Sequence, residues 1–151
     1  INNPTLKNAS EMSIASNLAG KAISISKTTA PHAVSYPFTS LFNISHGHAV
    51  GLFFENFFKF NFENLNRSET SFDLRKRFDL IFDLFNVKNI SEFSNHISLL
   101  KKQAKLEDDL KKLNVNVKEN SGRIIKGINL LRLGNNPVKI TESDIKKIIS
   151  N

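Results

Sequence analysis

Residues 46–61 read HGHAVGLFFENFFKFN, and this stretch decides the fold class. Phenylalanine occupies five positions between 53 and 60, whereas only Glu55 and Lys59 are charged. In a helix these residues are apolar around most of the circumference, which is typical of the central helix of a bundle. A helix lying on a membrane surface keeps a strongly charged face, which this one lacks. We therefore predict a buried helix over 46–61 with other helices packed around it.

Two helices are predicted before the central one. Residues 9–27 place Met12, Ala15, Ala19 and Ile23 at helical spacing, a pattern that predicts one buried face. Pro31 disfavours helical geometry in the residue before it, so the first helix is expected to end there. A second, shorter helix is expected over 32–42.

Further amphipathic helices are predicted on the C-terminal side, over 72–85, 91–102, 105–112, 118–133 and 142–149. Gly134 suits a helix C-cap, residues 135–137 suit a turn, and Thr141 suits the N-cap of the last helix. The sequence has no alternating β-branched run and no Gly-rich phosphate loop after a strand. The predicted fold class is all-α, a helical bundle in a single domain over 1–151.

The composition excludes several classes of protein. There is no cysteine, so disulfides and thiolate metal sites are excluded and a reducing cytoplasm is the expected compartment. The N-terminus lacks the features of a signal peptide, and no apolar run is long enough to span a membrane. The net charge of +7 comes from dispersed basic residues; at 101–112 lysines alternate with carboxylates, as on a solvated helix face. Neither nucleic acid nor a membrane is therefore a predicted partner.

Three of the four histidines, His32, His46 and His48, lie close together at predicted helix ends. One short helix and a turn can bring the imidazoles of His32 and His46 to one point. Imidazole is a ligand for zinc and ferrous iron, but a complete site needs at least one or two more ligands. On spacing alone, two interpretations stay open: a metal site, or histidines that cap or hydrogen-bond at helix ends. The fourth, His96, is predicted to be an ordinary surface or boundary residue.

Several motifs together resemble the iron-containing, or group III, alcohol dehydrogenases. They are ASNLAGKA at 15–22, APHA at 30–33, SHGHAV at 45–50 and LRLGNNPVKITESDI at 131–145. In that family a helix bearing AS.LAG.A precedes a histidine, a second helix and a turn with another histidine. The resemblance implies the C-terminal helical domain of the dehydroquinate synthase-like fold, part of a nicotinamide-linked alcohol dehydrogenase or aldehyde reductase.

The resemblance also implies ligands and partners. His32 and His46 would be two protein ligands of a divalent metal, Fe²⁺ or Zn²⁺. The other two ligands, spaced as DxxxH, and the N-terminal domain that binds NAD(P) would lie upstream, outside this chain, which begins with Ile. On this interpretation the substrate is a small alcohol or aldehyde, the fragment alone is inactive, and a homodimer stays open as a further partner.

Three positions depart from the family pattern or mark a branch of it. Tyr36 stands where many members have a histidine that shuttles protons near the nicotinamide, so Tyr36 is the candidate catalytic and cofactor-binding residue. Ser45 replaces the usual proline before the second ligand. His48 is similar to a residue of phosphonoacetaldehyde-reductase-like proteins, which implies a contact with the ligand shell or with an anionic substrate. Capping at the helix N-terminus is the alternative for His48.

Two other functions remain as alternatives. The related dehydroquinate synthase-like enzymes form carbocycles and keep a histidine at the position of Tyr36. A helical interaction module without metal or catalysis is the second alternative, and it would account for the missing ligands.

Overall fold

A computed structural model describes residues 4–150; both ends of the predicted domain, at 1 and 151, lie outside the described residues. Over that range the fold is all-α, as predicted, with one isolated antiparallel bridge between Ser68 and Val138. A short 3₁₀ turn, Leu65–Arg67, follows the third helix. The helices are α1 (Leu6–Ser26), α2 (Ala30–Phe42), α3 (His46–Glu63), α4 (Leu74–Phe85), α5 (Ile90–Gln103), α6 (Val117–Lys126), α7 (Leu130–Leu133) and α8 (Glu142–Ser150).

Helix α3 is central, as its apolar circumference predicts, because it takes part in two separate hydrophobic clusters. Phe53 and Phe57 face the first cluster, which α2, α6 and α8 complete with Val34, Phe38, Ile124, Ile145 and Ile149 among others. On another side of α3, Phe58 stacks on Phe93 of α5 at 4.2 Å between ring centroids. Phe78 and Phe82 of α4 complete this second cluster. Burying both sides of one helix leaves few positions where α3 can carry charge.

Helix α8 begins as the sequence predicts. The Thr141 hydroxyl accepts a hydrogen bond from the backbone N–H of Asp144 at 3.2 Å. In return, the Asp144 carboxylate accepts from the backbone N–H of Thr141 at 2.9 Å. This reciprocal capping box satisfies two N–H groups that the helix itself cannot. The same carboxylate accepts a hydrogen bond from Arg67 Nη2 at 2.7 Å, which ties α8 to the turn after α3.

The prediction of a helix over 105–112 is wrong. Residues 104–105 and 110–114 form turns, and Lys105 has a left-handed φ of 56°. The side chains of Glu107 and Asp109 accept from the backbone N–H groups of Asp109 and Lys111, both at 2.9 Å. Short-range bonds of this kind compete with the helical hydrogen-bond ladder. The alternating charges indicated a solvated segment but did not predict its backbone conformation.

The single helix predicted over 118–133 is two helices, α6 and α7. Gly127 caps α6, and Asn129 takes an extended conformation whose side chain accepts from the backbone N–H of Arg132 at 3.0 Å. Asn129 is thus a new N-cap inside the predicted helix. Gly134 caps α7, as predicted.

Helix α1 exists, but its predicted buried face is wrong. None of its residues is buried. Met12, Ile14, Leu18 and Ile23 keep between 43% and 61% of their surface exposed. The chain leaves α1 at Lys27, whose φ of 65° turns the backbone before Pro31 is reached. Helical periodicity predicted a covered face, but no neighbour within residues 4–150 buries it.

Within the described residues, none of the helices is both long and apolar enough to cross a membrane.

Candidate metal centre

The turn between α2 and α3 brings His32 and His46 together. His32 lies in the first turn of α2, and His46 is the first residue of α3. Asn43 ends α2 in the left-handed conformation, which reverses the chain over three residues. As a result, His32 Nδ1 lies 3.2 Å from His46 Nε2, and the ring centroids are 5.2 Å apart. Both side chains remain accessible to solvent, so the pair opens onto the surface.

Ser35 sets the orientation of the His46 ring. Its hydroxyl lies 2.8 Å from the backbone oxygen of His32 and 3.1 Å from His46 Nδ1. A hydroxyl has one proton, and a carbonyl oxygen only accepts, so Ser35 donates to His32 O and accepts from His46 Nδ1–H. That tautomer leaves a lone pair on His46 Nε2, the nitrogen that faces His32. Ser35 itself is fully buried, whereas His46 is exposed.

Electrostatics favour the neutral form of the first histidine. Partial burial lowers the pKa of His32, and the nearby charges of His46 and Arg132 lower it further. Neutral imidazole is the form that binds a metal. The environment of His32 therefore suits a ligand.

The pair fits half of a metal site. Two imidazole nitrogens bound to one ion at roughly 2.1 Å lie about 3–3.5 Å apart, and the observed separation of 3.2 Å falls in that range. Over residues 4–150, however, His, Asp and Glu do not form a group of three or more that could hold an ion. The residues present thus fit an iron or zinc ion as two of its ligands.

Tyr36 lies against the pair. Its ring centroid is 5.5 Å from that of His46, so the structure brings this candidate residue to the same site. The guanidinium of Arg132 in α7 lies over the Tyr36 ring, with Cζ 5.6 Å from the ring centroid. Arg132 Nη1 also donates to the hydroxyl of Thr28, a buried residue between α1 and α2.

The other two histidines are placed away from this pair. His48 Nε2 donates to the backbone oxygen of Glu107 at 2.7 Å, which fastens the first turn of α3 to the loop after α5. His96 packs edge-on against Phe85 at 5.5 Å between centroids. His48 therefore has a structural partner, and His96 lies at a boundary of the second cluster, as predicted.

Sequence reasoning missed Ser35 and Arg132. Ser35 follows His32 by three residues, so helical spacing alone could have placed it beside that histidine's carbonyl oxygen. Arg132 had no such signal, because it lies 100 residues after His32 and within a helix that was predicted as one piece. Only the break at Gly127 turns α7 toward α2.

Comparison with known proteins gives a family. The family described as Fe-containing alcohol dehydrogenase, C-terminal, matches residues 2–151. No curated protein matches the chain, and no solved structure matches it. The family match, the all-α fold and the paired histidines agree with the resemblance found in the sequence. Because the match covers almost every residue, this chain belongs to the Fe-containing alcohol dehydrogenase family, as its C-terminal region.

Proposed function

We propose that this chain is the metal-binding, C-terminal domain of a nicotinamide-linked alcohol dehydrogenase that acts as an aldehyde reductase. In this proposal His32 and His46 are two ligands of a divalent ion, Fe²⁺ or Zn²⁺. The observation that carries it is the 3.2 Å separation of His32 Nδ1 and His46 Nε2, in a chain of this family. The lone pair of His46 Nε2 accepts a hydrogen bond from His32 Nδ1–H, and a bound ion would replace that proton and use one lone pair from each ring.

The residues around the pair have separate tasks. When bound, the metal acts as a Lewis acid that polarises the alcohol or aldehyde oxygen, while NAD(P) accepts or supplies the hydride. His32 and His46 hold the ion, and Ser35 keeps His46 Nε2 free of its proton. The Tyr36 hydroxyl relays a proton between the substrate oxygen and solvent, and its ring lines the space near the nicotinamide. Support for this role is the ring contact with His46 at 5.5 Å.

Two ligands leave the coordination sphere incomplete, since a catalytic site of this type needs at least three from protein. We propose that an Asp and a His spaced as DxxxH supply the rest, from a domain that also binds the nucleotide. The resemblance to the family implies that this domain lies upstream in a longer protein. The exposed apolar residues of α1 offer it a packing surface.

A specific branch of the family remains a proposal. The HGH motif suggested phosphonoacetaldehyde-reductase-like proteins, through a role of His48 near the ligands or an anionic substrate. The hydrogen bond from His48 Nε2 to the backbone oxygen of Glu107 gives His48 a structural role. An anionic substrate would therefore have to be bound by another residue. A cytoplasmic location and homodimer formation stay predictions from the sequence.

The test uses the intact protein that contains this chain. His32→Ala and His46→Ala should each remove metal, measured by elemental analysis after gel filtration, and lower NAD(P)H-linked turnover of small aldehydes by at least about 100-fold. His96→Ala is the matched control and should retain both. Metal content and turnover that survive both substitutions would refute the assignment of the ligands. An intact protein with metal but without nicotinamide-linked turnover would favour the carbocycle-forming alternative.

A further inference from the structure

Arg132 is a cation beside the candidate metal centre that the proposed ligands and proton relay do not use. Its guanidinium lies 5.6 Å from the Tyr36 ring centroid, and the same ring lies 5.5 Å from that of His46. The Tyr36 ring therefore contacts both the guanidinium and a proposed metal ligand. Arg132 is only partly buried, so part of its surface remains accessible to a ligand.

The position of Arg132 is built by close packing between α2 and the segment after α6. Pro37 lies inside α2 and has no N–H, so the carbonyl of Ala33 loses its helical partner. The backbone N–H of Asn129 donates to that carbonyl at 3.3 Å. The approach requires Gly127, because a Cβ there would lie 2.9 Å from Pro37 Cβ. Asn129 then caps the helix that carries Arg132, which fixes Arg132 over Tyr36.

The charge of Arg132 is not balanced by a carboxylate of the described residues. Arg67 and Arg75 donate to Asp144 and Asp79 at 2.7 and 3.0 Å, whereas Arg132 forms no ion pair within residues 4–150. Its partners are the neutral Thr28 hydroxyl and the Tyr36 ring. A divalent ion at the neighbouring histidines would add positive charge. The site therefore favours a substrate that brings negative charge.

We propose that Arg132 determines the substrate class by binding an anionic group, a carboxylate or phosphonate, at the far end of a short-chain aldehyde or alcohol. The inference rests on the proposed function, since it assumes that the reacting oxygen lies at the histidine pair. A planar guanidinium pairs with such oxygens through two parallel hydrogen bonds, and that of Arg132 lies over the Tyr36 ring. The same chemistry could instead bind a phosphate of NAD(P), so the experiment separates the two sources.

The experiment compares two aldehydes of equal chain length, succinic semialdehyde and butanal, in the intact, metal-loaded protein. For Arg132→Met, kcat/KM for succinic semialdehyde should fall by roughly 10- to 100-fold, as expected for loss of charge-assisted hydrogen bonds. For butanal it should stay within about 2-fold. Arg132→Lys, which keeps the charge but not the fork, should fall between wild type and Arg132→Met. Arg123→Met, at an exposed arginine of α6, is the matched control and should change neither value.

A binding measurement supports the kinetic one. Succinate, which has no reacting aldehyde, should raise the Tm of the wild-type holoenzyme and leave that of Arg132→Met unchanged. The KM for NAD(P)H should be equal in both proteins. An equal loss for both aldehydes, or a rise in the KM for NAD(P)H without a change in the ratio between aldehydes, would overturn the proposal.

Wild-type protein that turns over neither aldehyde would contradict the proposed function instead. The succinate measurement still decides the role of Arg132 in that case: an equal Tm shift in wild type and Arg132→Met overturns that role.

Discussion

Helices α1 and α3 are both long and rich in apolar residues, yet they are buried to opposite extents. Five residues of α3 are buried, and its phenylalanines take part in both clusters. None of α1 is buried, although Leu6, Met12, Ile14, Leu18, Ile23 and Ile25 all lie along it. An apolar pattern therefore predicts a helix face that another part of the protein can bury. Whether the chain itself provides the cover depends on contacts distant in sequence.

The largest expected effect comes from Phe57, a fully buried residue of α3. Phe57→Ala should lower the free energy of unfolding by about 3–5 kcal/mol, because it removes apolar contacts and leaves a cavity. Urea denaturation followed by circular dichroism measures the change. A loss below about 1 kcal/mol would show that α3 is not the centre of the core, and would remove the contrast with α1.

A second effect tests the close approach of α6 to α2. Gly127→Ala should lower the free energy of unfolding by about 1–3 kcal/mol, because the new Cβ would lie 2.9 Å from Pro37 Cβ. The matched control is Gly20→Ala in α1, where nothing lies within 4 Å of the new Cβ. Alanine has the higher helix propensity, so this control should be neutral or stabilising by up to about 1 kcal/mol. Equal losses at both glycines would contradict the packing.

A smaller effect concerns the polar contact that holds α8 to the turn after α3. The hydrogen bond from Arg67 keeps the pKa of the Asp144 carboxyl well below its usual range, and the Thr141 hydroxyl and N–H add to this. A carboxyl with a lowered folded-state pKa stabilises the fold above its unfolded pKa of about 3.9, and the contribution is lost as the pH falls further.

Asp144→Asn should therefore lower the Tm by a few degrees at pH 7, and its difference from wild type should shrink progressively below about pH 4. Asp79→Asn, in the exposed ion pair with Arg75, is the control and should change the Tm by about a degree or less. A difference between Asp144→Asn and wild type that stays constant from pH 7 to pH 2 would show that the ionised carboxylate contributes nothing.

Much of the fold could be predicted from local patterns. The bounds of α2 and α3 and the cap at Thr141 follow from proline, apolar spacing and capping chemistry, which act within a few residues. The prediction of a helix over 105–112 was wrong because acidic side chains there accept hydrogen bonds from neighbouring backbone N–H groups. Composition alone does not distinguish such a loop from a helix. The break between α6 and α7 was missed although Gly127 and Asn129 carry local capping signals. The close packing of Gly127 on Pro37, 90 residues away, has no local signal in the sequence.

The candidate site likewise contains residues that local sequence could predict and one that it could not. His32 and His46 could be found because a short helix and one turn join them, and the structure brings their ring nitrogens together. Arg132 could not be found, because its position requires the packing of Gly127 on Pro37. Local spacing therefore predicted that His32 and His46 meet, and the resemblance to the family added their interpretation as ligands, whereas the residue proposed to select the substrate depends on tertiary structure.

The smallest expected effect is at Leu18 of α1, which keeps 58% of its surface exposed. In the 151-residue chain, Leu18→Ala should change the free energy of unfolding by less than about 0.5 kcal/mol, since an exposed residue loses few contacts and alanine favours the helix. A larger loss would contradict the exposure of α1.

The same substitution also tests the burial of α1 in the intact protein. If the proposed partner domain covers α1, Leu18→Ala should there cost about 2–5 kcal/mol, the range for a buried leucine. The difference between the two losses in unfolding free energy measures how far the partner domain buries Leu18. A negligible loss in both proteins would show that α1 stays exposed in the intact protein as well.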